Sequence, residues 1–227
     1  IVCLNWNKVT TGLKTHHSSW YVVFTAVCCF VACIGDFAVT IIIGLIYKDY
    51  DSLNQSESFL GTSKSPVAVY MNTWEVIFSI LFVFYAYGLL RTIFKKGVWQ
   101  HVAVWLIVIY GLGEGIGSGV FPYEHTGDQL ALSGKLHLLF SGIGVIAIAL
   151  NAFVLVKVFP KQVYPKINAY TRFVAWSGLA LIILFLLAKM HLIPLRGLWQ
   201  RLFILDYYSL LMVVTVEMLI THFKTPA

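Results

Sequence analysis

The 227-residue chain is 59% hydrophobic and 11% charged, with a mean hydropathy of +0.81. Soluble domains carry about 25% charged residues, so this composition excludes an ordinary soluble globular protein. The net charge of +6 is not a nucleic-acid signature, because no basic stripe with groove-reading or aromatic context accompanies it.

A helix needs about 17–25 apolar residues to cross a bilayer. Runs of that kind predict six spans, at 20–47, 73–90, 99–121, 136–159, 172–188 and 201–223. Residues 1–19 precede them as a tail, and the whole of 1–227 forms a single membrane domain. Open sheet edges cannot be satisfied in lipid, so the spans are helices. The expected fold is an all-α integral membrane protein, a six-transmembrane-helix bundle.

The first span, at about 28 residues, is too long for the h-region of a signal peptide. It carries Cys28, Cys29 and Cys33 as small apolar residues and a deep acid, Asp36. No CxxC pair or Cys/His spacing suggests a zinc finger. A long polar loop, 48–72, follows and reads KDYDSLNQSESFLGTSKSPVAVYMN, with Glu57 inside it. A connection of that length is a lid, a binding loop or a flexible connector. In the second span Glu75 and Ser79 share a face.

The third span ends in GLGEGIGSGVFPYEH, where Gly111, Glu114, Gly115 and Ser118 fall on one helical face. Small residues at that spacing admit a second backbone. The neighbour expected there is the fourth helix, whose first turns stack His137 above Ser141. The loop between them, 122–135, contributes Glu124, His125 and Asp128. Pro160 and Pro165 mark the turn before the fifth span. The sixth carries Asp206 and Ser209 on one face, and Glu217 towards its other end.

Charge distribution sets the orientation. With both termini cytoplasmic, ten of the sixteen Lys and Arg lie inside and six outside, as the positive-inside rule prefers. Trp20, Trp74, Trp99 and Trp199 fall at span ends, where amphipathic rings prefer the headgroup region.

Several stretches carry a resemblance. They are DYDSLNQSESFLG (49–61), SPVAVYMN (65–72), the Gly-rich run to FP (111–122), and His137 in the helix opening KLH. Over about residues 20–223 the chain resembles the uncharacterised membrane family called domain of unknown function 998, found in bacteria and archaea. The resemblance implies a six-helix multi-pass protein, expected in a prokaryotic cytoplasmic (inner) membrane, and implies no activity. The family pattern usually places an acid directly after FP; here Tyr123 intervenes before Glu124.

An acid near a helix centre costs about 2.5–3.5 kcal/mol on insertion scales, so it faces the bundle interior or a wet cavity. At about 1.5 Å per residue, Glu114 lies about 10 Å and Asp36 about 16 Å below the outer helix ends. The candidate pocket is therefore Glu114, His137, Asp206, Ser118 and Ser141, in the outer half, with Glu57, Glu124, His125 and Asp128 from the outer loops. Glu114 and His137 are expected within reach of each other or of one shared water or ion, with Asp206 as the third member. Two readings stay open. One is a non-catalytic role: binding of a lipid or small ligand, or service as an accessory subunit of a membrane complex. The other is a membrane-embedded hydrolase or transferase using this carboxylate/histidine set, with a divalent metal on His137, Glu114 and Asp206 if any is bound. A transporter is a third reading, weakened because paired interrupted helices are missing. His101 and His137 open their helices at opposite faces, which argues against haem. Glycine stripes, loop charges and a lone histidine also arise from packing alone.

Overall fold

The computed structural model describes residues 7–94, 96–127 and 129–224, with side chains from Ser19 to Phe223. It is built from six long helices: α1 (Asn7–Ile46), α2 (Ala68–Arg91), α3 (Val98–Val120), α4 (Leu132–Val158), α5 (Pro165–Lys189) and α6 (Arg196–Lys224). All six, counting α1 from Ser19, are long and apolar enough to cross a membrane. The chain is an all-α six-span bundle. Most helices run past the apolar stretches that mark them. Helix α2 begins at Ala68 rather than 73, α4 at Leu132, α5 at Pro165 and α6 at Arg196, while helix already covers part of the expected 1–19 tail. Hydropathy stops at the polar flank, whereas the backbone ladder continues through it. Pro165 can open α5 because the first turn needs no N–H from it.

Each helix packs on the next in sequence, and α1 closes the circle against α6. Neighbours in sequence are neighbours in space, an up-and-down arrangement. The interior is filled by aromatic residues: Phe78, Phe82, Tyr110 and Tyr208 meet with ring centroids 4.6–6.4 Å apart. The outer face is apolar, with Trp105 64% and Trp176 66% exposed, as suits contact with lipid tails.

Two connections close over the same end of the bundle. The strap, 47–67, joins α1 to α2 and includes a 3₁₀ turn, Glu57–Gly61. The α3–α4 connection holds a small antiparallel hairpin, β1 (His125–Thr126) with β2 (Gln129–Leu130). Gly127 supplies the positive φ of 60° at its turn. Strands of two residues are too short to show a period, which is why the sequence pattern gives no sign of them.

Candidate functional site

The Gly-rich segment does more than pack. Residues Leu112–Gly117 form a π-helical turn inside α3, with Glu114 in it. A π turn widens the ladder by one residue and is frequent at functional sites. Here a side chain from the neighbouring helix accompanies it. Ser79 of α2 inserts its hydroxyl into the ladder: it donates to the Gly111 carbonyl and accepts the Ile116 N–H at 2.7 Å. Gly111 and Gly115 have no side chain, so Ser79 and the Glu75 backbone can approach. Gly113 and Gly117 face Phe140 and Gly144 of α4 in the same way. The expected small-residue face therefore turns to α2, and the alternate glycines turn to α4. Glu114 is held between the two.

Beneath the strap lies a cavity of about 70 Å³. A water needs about 10–15 Å³ measured this way, so there is room for a few waters or one small polar group. Asp36, Glu57, Glu75 and Glu114 line it, with Lys189 and Arg196 as the cations and Ser58, Ser118, His137, Ser141, Tyr110 and Tyr208 among the other polar groups. Its floor is a fixed relay. Tyr110 donates to the Tyr208 hydroxyl at 3.0 Å, and Tyr208 donates to Asp36 Oδ2 at 2.8 Å. Trp74 Nε1 donates to Asp36 Oδ1 at 2.9 Å. Asp36 is thus hydrogen-bonded through both carboxylate oxygens, which is what a buried acid requires.

The strap is tied down mainly by α6. Arg201 donates to the Ser52 carbonyl and to the Tyr50 hydroxyl, each at 2.6 Å, and its Nε lies 3.6 Å from Glu57. Gln200 accepts the Glu57 N–H at 2.8 Å, and Leu198 N–H reaches the Leu53 carbonyl at 3.0 Å. Burial pushes the Tyr50 hydroxyl up to about 12, so it remains a neutral donor and acceptor. Asp51 is held below the usual carboxylate range by the Asn54 side chain and the Leu53 and Asn54 N–H groups. Burial, and then the Asp36 charge, raise Glu57 to about 7 against the pull of Arg201. On the opposite side, Ser58 meets His137 Nε2 at 3.0 Å, while His137 Nδ1 meets the Phe121 carbonyl at 3.0 Å.

Of the residues singled out from sequence, Glu114, His137, Ser118, Ser141, Asp36 and Glu57 border this one cavity. The imidazole, however, bonds Ser58 and Phe121 and leaves Glu114 to Ser141. Asp206 is a correction. It accepts from Ser177 of α5 at 2.6 Å and does not border the cavity. Two residues on, Tyr208 takes that face, because a step of two turns the side chain about 200° round a helix. Glu124 accepts the Ser63 N–H, and with His125 it borders a shallower groove beside Tyr47 and Phe59. Asp128 lies outside the described residues. Among those described, no three His, Cys, Asp or Glu side chains gather as a metal site, so His137, Glu114 and Asp206 do not form one. Ser58, Lys189 and Arg196 join the cavity without a signal in the linear pattern, and Glu75 with no more than the face it shares with Ser79. Glu75 resembles an end-of-span charge when hydropathy alone sets the start of α2 at 73, and the helix in fact begins one to two turns earlier, at Ala68.

Six apolar helices closing on a polar interior define a multi-pass membrane protein. Residues 30–217 match the family described as protein of unknown function DUF998, and the chain belongs to it. No curated protein and no solved structure matches the chain.

Proposed function

We propose that this is a binding protein: the cavity under the strap holds a small polar ligand, free or as the headgroup of a lipid. The carrying observation is Ser118. Its side chain borders the cavity at 7% exposure, and its hydroxyl has no hydrogen-bond partner among the described residues. Buried hydroxyls are normally satisfied, so an unused one beside a polar space points to something that fills it. Glu75 and Glu114 border that same space. A ligand with an ammonium group supplies donors to both carboxyl groups. The bilayer surrounds the apolar girdle, and the residence that fits a family of bacteria and archaea is the cytoplasmic membrane, with the strap outside.

Thermal unfolding of the detergent-purified protein tests this. Ethanolamine and O-phosphoethanolamine at millimolar concentration are expected to raise the midpoint, and acetate is not. A ligand at 100 times its Kd adds about 2.7 kcal/mol. The shift should vanish in a Glu75→Gln/Glu114→Gln double variant. Equal midpoints with and without every amine, together with native mass spectra showing no bound small molecule, would sink the reading.

A further inference from the structure

We propose that the cavity also performs acyl transfer, with Ser58 as nucleophile and His137 as its general base, on carboxylic esters whose alcohol carries an ammonium group. This rests on the ammonium-binding reading for the placement of the alcohol. The dyad itself stands on separate geometry.

The tautomer of His137 follows from its partners. The Phe121 carbonyl can only accept, so a neutral imidazole must carry its proton on Nδ1 and donate it there at 3.0 Å. Nε2 is then a bare acceptor, and the Ser58 hydroxyl donates to it at 3.0 Å. That is the arrangement of a serine whose proton is ready to leave, with the base oriented by a third group. His137 is 5% exposed, so bulk water does not compete for Nε2. The serine sits on the Glu57–Gly61 turn, which Gln200 and Arg201 anchor from α6.

Acyl transfer also needs a donor for the developing oxyanion. Arg196 stacks over Phe59, the residue after the serine, 4.9 Å from the ring centroid. Its Nε–H is buried without an acceptor among the described residues, and the residue borders the same cavity as Ser58 and His137. A buried cationic donor left unused beside a serine–histidine pair fits that role, while Glu75 and Glu114 take the ammonium end.

The steps balance without any further cofactor. Ser58 Oγ bonds to the acyl carbon as its proton passes to His137 Nε2. The bond from the acyl carbon to the leaving oxygen breaks, and the imidazolium returns the proton to the departing alcohol. Water then attacks the acyl-serine by the same route, releasing the carboxylic acid and restoring Ser58.

A fluorophosphonate probe, which phosphonylates activated serines, tests the dyad on the full-length protein in detergent. Peptide mass spectrometry should find the adduct on Ser58 of the wild type. Labelling should fall by about 100-fold or more in His137→Gln, the usual contribution of a general base, in a variant whose thermal midpoint shows it still folded. Arg196→Met should slow labelling without moving the adduct to another residue. A folded wild type with no adduct on Ser58, or equal labelling in folded His137→Gln, would overturn the proposal and leave the pair as a latch for the strap. Amine-induced stabilisation that persists without labelling would remove the catalytic step alone and keep the binding site.

Discussion

Asp36 is kept inside the bundle by hydrogen bonds rather than by a contacting cation. Trp74 and Tyr208 each donate one bond to it, so removing the carboxylate strands two buried donors. Each stranded donor costs about 1–3 kcal/mol. Asp36→Ala is therefore expected to destabilise by about 2–6 kcal/mol, and Asp36→Asn, which keeps one acceptor, by less; unfolding midpoints of the two variants in one detergent give the comparison. Glu57 behaves differently because burial outweighs its ion pair with Arg201. Its carboxyl, ordinarily near 4.5, is raised to about 7, so the folded state binds that proton more tightly than the unfolded chain does. The resulting stabilisation is complete below the unfolded value and is lost as pH climbs through about 7. Wild type should lose stability relative to Glu57→Gln between about pH 4.5 and about pH 7, by no more than about 1.4 kcal/mol per pH unit, the slope of a single proton. A difference curve that stays flat over that window would show that Glu57 does not titrate there.

At the scale of the element, the π turn of α3 depends on glycines that let α2 come close. Gly115 faces Ser79 and the Glu75 backbone, while Leu112, in the same turn, is 41% exposed. Gly115→Leu should drive the two helices apart and abolish the Ser79 bridge, at the cost of overpacking, about 1–3 kcal/mol or more, whereas Leu112→Ala should be nearly silent. Thermal midpoints of the two variants in one detergent make the comparison, and if the leucine variant melts like the parent, Ser79 does not shape the turn. The same segment marks how far a linear pattern reaches. Apolar runs reveal all six helices, because membrane burial writes itself into consecutive residues. The depth of Glu114 and Asp36 follows from counting along a helix. Ser79 acts on residues 32 and 37 positions away, and Ser58 acts on a histidine 79 positions away. No local period encodes such pairs. Asp206 misses the cavity for the same reason: one helix face is legible, but which neighbour it meets is set by how the ring closes.

For the whole molecule, the cavity lies under the strap, so that end's side of the membrane decides what can reach it. The helices alternate in direction, which puts the strap, the hairpin and the 190–195 connection at one end and the 92–97 and 159–164 connections at the other. The second end carries Lys96 and Lys161, and the first carries Asp49, Asp51, Glu57 and Glu124. Lys and Arg near span ends are retained on the cytoplasmic side, whereas acids contribute little to that choice. The strap is accordingly expected outside. Single cysteines at Lys64 and Gln162, both exposed and each at one of these ends, report on it directly. In intact cells a membrane-impermeant maleimide should label the Lys64→Cys protein and spare Gln162→Cys until the membrane is opened. Cys3 is replaced by serine in both proteins, and Cys28, Cys29 and Cys33 are buried and should contribute little background. The reverse pattern would place the cavity in contact with the cytoplasm, and its ligand would then have to be a cytosolic molecule or an inner-leaflet headgroup.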